Sequence, residues 1–160
     1  MNRCRAWSIV RLRDVPEAIP VLAGWIRRAT GPHHGACERG DPHAEFDGCA
    51  GRDVLPAGFV ALGADRAPIG TASLKRMPAL SQEFPGPWLA ALVVREECRG
   101  CGIATNLVLR IEEEASRLGF PMIYAAVHAP TTLLRRRGWN VLGSQTSPLG
   151  KVPVFGKYLI

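Results

Sequence analysis

No apolar run in the 160 residues approaches the ~20 needed to cross a bilayer as a helix. The first residues, Met1-Asn2-Arg3-Cys4-Arg5-Ala6-Trp7, lack the apolar segment of a secretion signal. A cytoplasmic protein without a membrane partner is therefore expected. There is no internal repeat and no low-complexity tract. The length suits a single domain over residues 1–160 with a sizeable core. Acidic residues are the minority, 14 against 20 Lys and Arg, for a net charge of +6. That balance suits a polyanionic ligand and would equally suit nucleic acid. The basic residues are scattered, apart from Arg135-Arg136-Arg137, and no nucleic-acid-binding motif accompanies them. No nucleic-acid partner is expected.

Cysteine is sparse and odd in number: Cys4, Cys37, Cys49, Cys98 and Cys101. A cytoplasmic chain keeps such thiols reduced. Cys98-x-x-Cys101 has no second pair to complete a zinc site. His33, His34, Cys37, His43 and Cys49 share residues 31–56, but their spacing fits no standard zinc motif. No metal is expected. Glycine and proline punctuate that stretch, which reads as a loop with at most a short helical piece around Ala44–Phe46.

What is present centres on residues 88–118. Trp88 to Val94 is a continuous apolar run, read as a buried strand. Arg95 to Cys101 is a charged turn containing glycine. Ala104, Leu107, Val108, Ile111, Ala115 and Leu118 then form one stripe of an amphipathic helix, with Gly119 placed to end it. A strand, a glycine turn and a helix start together make a phosphate-binding device. The first N–H groups of a helix have no internal acceptor, and the helix dipole places partial positive charge there. Gly100 and Gly102 allow close approach of a ligand to the backbone, and Arg99 adds a charge. An anionic group is expected over residues 99–105.

Arg99-Gly100-Cys101-Gly102-Ile103-Ala104 resembles the R/Q-x-x-G-x-G/A signature of the GNAT acyltransferases. Val94-Arg95-Glu96-Glu97-Cys98 resembles that family's lead-in to the turn. Leu133-Leu134-Arg135-Arg136-Arg137-Gly138-Trp139 resembles its downstream LYxxxGF segment, and Gly70-Thr71-Ala72-Ser73-Leu74 its G-x-A-x-L hairpin. The resemblance is close from about Phe59 onward and looser before. It implies an α/β fold: a single GNAT-like domain, with a mixed central sheet of about seven strands flanked by helices and two splayed central strands. It implies acetyl-CoA as co-substrate, held by Leu92, Val93, Val94, Arg99, Gly100, Cys101, Gly102, Ile103, Ala104 and Thr105. It implies transfer of an acetyl group by direct attack of a primary amine, on a small-molecule or peptide acceptor, in a monomer or homodimer. The alternative is a non-catalytic acyl-CoA-binding or sensing domain of the same fold.

The remaining elements read in order. Ala6–Leu12 is a strand. Asp14 and Glu17 have capping-box spacing before a helix ended by Gly31-Pro32, although Pro20 favours a start nearer itself. Gly58–Ala64 and Ile69–Met77 form a hairpin. Met122–Val127 follows a helix and should run parallel to 88–94. Pro130–Arg137 is a short helix, and Trp139–Gln145 and Val152–Ile160 close the sheet. Base candidates are His128, whose ordinary pKa of ~6.5 suits proton relay, and Glu83 in the loop before the central strand. Tyr124 lies mid-strand and reads as core. Leu134 stands where the family often has a proton-donating tyrosine, so the family's acid is missing here.

Overall fold

Every residue of Ala57–Gly63 (β2) is buried, and this strand folds back antiparallel on Pro68–Lys75 (β3). Asp65 makes the turn between them by accepting the Ala67 N–H on Oδ1 at 3.1 Å. In the computed structural model, residues 6–30, 42–51, 54–76, 84–127, 131–147 and 150–159 are described. Around this hairpin lie Trp7–Arg11 (β1), Ile19–Thr30 (α1), Pro42–Cys49 (α2), Trp88–Val94 (β4) and Ile103–Arg117 (α3). Met122–Ala126 (β5), Thr132–Arg136 (α4), Asn140–Ser147 (β6) and Gly150–Tyr158 (β7) complete the elements. The strands form one seven-stranded sheet in the order β1-β2-β3-β4-β5-β7-β6. Only β4 and β5 pair in parallel; the other neighbours are antiparallel.

Both faces of the sheet are covered, which is why β2 shows no polar alternation. Phe59 and Ala61 point into a core shared with Leu107, Val108 and Ile111 of α3 and Leu134 of α4. Val60 and Leu62 point the other way, against Leu22 and Ile26 of α1 and Phe46 and Cys49 of α2. A fully buried Leu such as Leu107 contributes about 1.5–3 kcal/mol. α3 sits close on the sheet because Gly70 leaves room: a Cβ there would lie 3.1 Å from both Ile103 Cγ2 and Leu107 Cδ1. No described helix is long and apolar enough to cross a membrane.

Near the start of the chain the capping box is corrected, while the helix start near Pro20 and the helical piece at Ala44–Phe46 are found. Asp14 and Glu17 form no capping box. Leu12–Asp14 and Pro16–Ala18 each make a 3-10 turn without a side-chain cap, and α1 begins at Ile19. Pro20 then falls in the first turn, where its missing N–H costs no helical bond. The piece expected at Ala44–Phe46 is the eight-residue helix α2. Proline opens it, and burial of Phe46 and Cys49 supplies the tertiary packing that so short a helix needs.

Candidate functional site

β4 and β5 begin side by side. Trp88 stands opposite Tyr124 and Leu89 opposite Ala125, and the Tyr124 N–H donates to the Pro87 carbonyl at 3.0 Å. Among the described residues no pairing follows beyond Leu89, and the strands part there. The departure is built into β4. Against β3 its register steps from Ala90↔Ser73 to Val93↔Thr71, placing two residues of β4 opposite one of β3. Ala91 takes up this bulge with φ 53. A left-handed non-glycine residue costs roughly 1–2 kcal/mol, and a bulge bends the strand that carries it. The sequence gives no sign of the bulge, because alanine is not a residue that announces positive φ.

The hydrogen bonds at the end of β4 decide which groups face the gap. The Arg95 N–H donates to the Ile69 carbonyl at 2.9 Å. Alternation in the antiparallel ladder then turns the Val93 main chain toward β3 as well, and the Val94 main chain toward the gap. The Val94 carbonyl already accepts from Arg99 Nε at 3.4 Å. The Val94 N–H is therefore turned away from β3, and Val93 has only its side chain to offer on that side.

The turn beyond β4 is anchored by Cys98, fully buried after the 3-10 turn Glu96–Cys98. Gly100 and Gly102 both adopt left-handed backbone, with φ 81 and φ 83, which glycine enters without penalty. The Asn106 N–H donates to the Gly102 carbonyl at 3.1 Å as α3 begins, and Asn106 Nδ2 donates to the same oxygen at 2.8 Å. The N–H groups of Ile103, Ala104 and Thr105 thus precede the helical ladder, and Gly102 supplies no side-chain cap. A Cβ built on Gly100 would meet nothing within 4 Å, and one on Gly102 only Asn106 Nδ2 at 3.8 Å. Open ground lies over both glycines, so a side chain there would fill space that the fold leaves free. Uncapped amides, the positive end of α3 and Arg99 converge beside the mouth of the gap, an arrangement suited to a phosphate-type anion. Cys101 is half-buried and Cys98 buried, and both are free thiols.

His128 and Glu83 lie outside the described residues, as do His33, His34 and Cys37. Among the described residues, no group of three His, Cys, Asp or Glu gathers to hold a metal ion. Leu134 is buried in the core beside α3. Tyr124 is buried on the opposite face, with ring centroids 5.5 Å from Trp88 and 5.9 Å from Phe84. Burial, with a smaller contribution from Tyr158, pushes its phenol above the ordinary range. Tyr124 is thus core, as its mid-strand position implied. Two buried carboxylates that the sequence reading passed over, Glu112 and Glu114, sit on α3. The run Glu112-Glu113-Glu114 resembles a solvated face, and only the long-range arginines reveal otherwise.

Residues 22–137 match the family model described as "Acetyltransferase (GNAT) family". No curated protein matches the sequence. An aminoglycoside 6'-N-acetyltransferase solved in complex with coenzyme A is similar in structure, with TM-score 0.73 and 17% identity over 96% of this chain and 97% of that one. A GCN5-related N-acetyltransferase from Kribbella flavida gives TM-score 0.71 and 20% identity, covering 96% and 98%. The yncA protein of Salmonella typhimurium, solved with its cofactor acetyl-CoA, gives TM-score 0.70 and 14% identity, covering 97% and 95%. At these identities the structural likenesses establish the fold.

Proposed function

Because the chain belongs to the acetyltransferase (GNAT) family, we propose that residues 1–160 form one N-acetyltransferase domain moving an acetyl group from acetyl-CoA to a primary amine. The observation that carries this reading is the pair of left-handed glycines and uncapped amides at the mouth of the parted strands. In this reading Arg99, Gly100, Cys101 and Gly102, with the amides of Ile103, Ala104 and Thr105, hold the pyrophosphate. Leu92 and Val94 hydrogen-bond the pantetheine amides through their main chains, and the Val93 side chain shapes the wall.

Acetyl-CoA supplies an activated acetyl thioester. The protein's part is to hold it beside the amine, which removes much of the entropic barrier. The Val94 N–H is the donor available where negative charge develops on the acetyl oxygen. A proton must leave the amine, and His128, two residues beyond β5 in the chain, is the assigned acceptor through water, with Glu83 as the alternative. Leu134 has no proton to give, so the thiolate leaves unassisted; a free thiol titrates near ~8.5, low enough for this. Cys98, being buried, is no nucleophile, and attack is direct. The acceptor is a small-molecule or peptide amine, and the protein acts as a monomer or homodimer.

Release of free CoA across a panel of amines tests the proposal. Amine-dependent release is expected, with one limb of the pH–rate profile between about 6 and 7 removed in His128→Ala. The buried Leu134, where the family often has its acid, favours one second reading: a domain that binds acyl-CoA without turning it over. Tight acetyl-CoA binding with no release for any amine would establish that reading instead.

A further inference from the structure

We propose a second anion-binding site, for a small carboxylate- or phosphate-bearing molecule, at the end of α3 remote from the glycine turn. A cleft of about 260 Å³ lies there, walled by Arg11 at the end of β1, Arg13 just beyond it, Glu114 and Arg117 of α3, and the chain entering β2. It is near the lower end of the roughly 300–1,000 Å³ typical of ligand pockets, which suits a small molecule.

Among the described residues, the charge balance of the walls selects an anion. Glu114 already accepts from two guanidiniums: Arg11 at 2.8 and 3.3 Å, and Arg117 at 2.6 and 3.2 Å. One carboxylate between two arginines leaves a positive charge uncompensated. Arg13 adds a second, for it is exposed and has no ion pair among the described residues. Arg110 adds to the field from close by, since its guanidinium and that of Arg11 each lie 5.1 Å from the Phe59 ring centroid. Guanidiniums bind carboxylate and phosphate through paired N–H donors. Val54, Pro56 and Ala57 line the rest, so a short hydrocarbon body beside the anionic group has somewhere to lie.

This cleft is separate from the proposed acetyl-CoA site. Ile103 to Glu114 is about 16 Å along the helix axis at 1.5 Å per residue. Across the sheet, β1 is separated from β4 by β2 and β3, roughly 14 Å at ~4.8 Å per strand. The inference does not depend on catalysis.

Titration of the whole protein with inorganic phosphate and with succinate, at fixed ionic strength, tests it. Amide resonances of Ala57 and Gly58 should shift with saturation, whichever of the two anions binds. Phosphate binding at the glycine turn would instead move Gly100 and Gly102. Arg13→Glu, an exposed position whose change should not disturb the core, should weaken the response at Ala57 and Gly58 at least about tenfold. Gly102→Asp should leave that response intact. Saturation by phosphate alone would identify a phosphoryl ligand, and by succinate alone a dicarboxylate. Saturation at neither residue, or the same affinity in Arg13→Glu, would overturn the proposal.

Discussion

Arg11 of β1 and Glu114 of α3 stand 103 positions apart and meet guanidinium to carboxylate, Nη2 to Oε2 at 2.8 Å and Nη1 to Oε1 at 3.3 Å. The pair fastens the last turns of the helix to the edge of the sheet. The hydrogen bond from Arg117 is the largest influence on the Glu114 carboxyl; burial opposes it and Arg11 reinforces it, and the pKa falls from 4.5 to about 2.

A pH dependence follows from that shift. The folded pKa lies below the unfolded one, so the stabilisation is complete above pH 4.5 and is lost as pH falls toward 2. Glu114→Gln should cost about 2 kcal/mol at neutral pH, the partly exposed Arg117 keeping the value below the full shift. Urea unfolding of both proteins from pH 7 to pH 2 should show the gap closing through the acid range. A gap that stays constant would mean the carboxylate charge is not what matters.

Gly102→Asp places a carboxylate in the open ground before α3. Like charge and bulk should abolish acetyl-CoA binding in calorimetry, while the melting temperature changes little, since aspartate tolerates left-handed backbone better than most residues. Undiminished affinity would remove the turn from the site.

Ala91 should respond in opposite directions to two substitutions. Ala91→Gly relieves left-handed strain and should be neutral or up to about 1 kcal/mol stabilising. Ala91→Val puts a β-branched residue at φ 53 and should cost at least about 2 kcal/mol. Equal stability of the two variants in chemical denaturation would argue that the bulge relaxes.

Glu112 accepts from Arg137 Nε and Nη2, each at 3.2 Å, and from Lys157, so one carboxylate joins α3 to the end of α4 and to β7. Glu112→Gln leaves two cations without their counter-charge. A loss of about 2 kcal/mol in denaturant unfolding is expected, with binding of acetyl-CoA preserved. Stability within a few tenths of the parent would show that solvent replaces the carboxylate.

Where hydrophobic period and glycine placement coincide, the sequence predicts the architecture closely. The helix expected over 104–118 is Ile103–Arg117, and the strand expected over 88–94 is Trp88–Val94. The parallel pairing with β5 also follows from the helix between them. What resists reading depends on partners distant in the chain. The bulge at Ala91 exists through its register with Thr71 and Ser73. The burial of Glu112 and Glu114 depends on Arg137, Lys157 and Arg11. α2 forms against β2 rather than from its own weakly amphipathic sequence. The glycine turn and the start of α3 were legible, because glycine positions and a helix start are local facts.

β7 lies inside the sheet, between β5 and β6, although it is the last strand in the chain. Until residues 150–158 take their place, β6 therefore has no neighbour to join and β5 keeps an open edge. Exposed strand edges invite pairing between chains. One missing strand thus separates an adhesive intermediate from the closed sheet. A chain cut just before Gly150 should therefore associate with itself, while the chain that carries β7 should not.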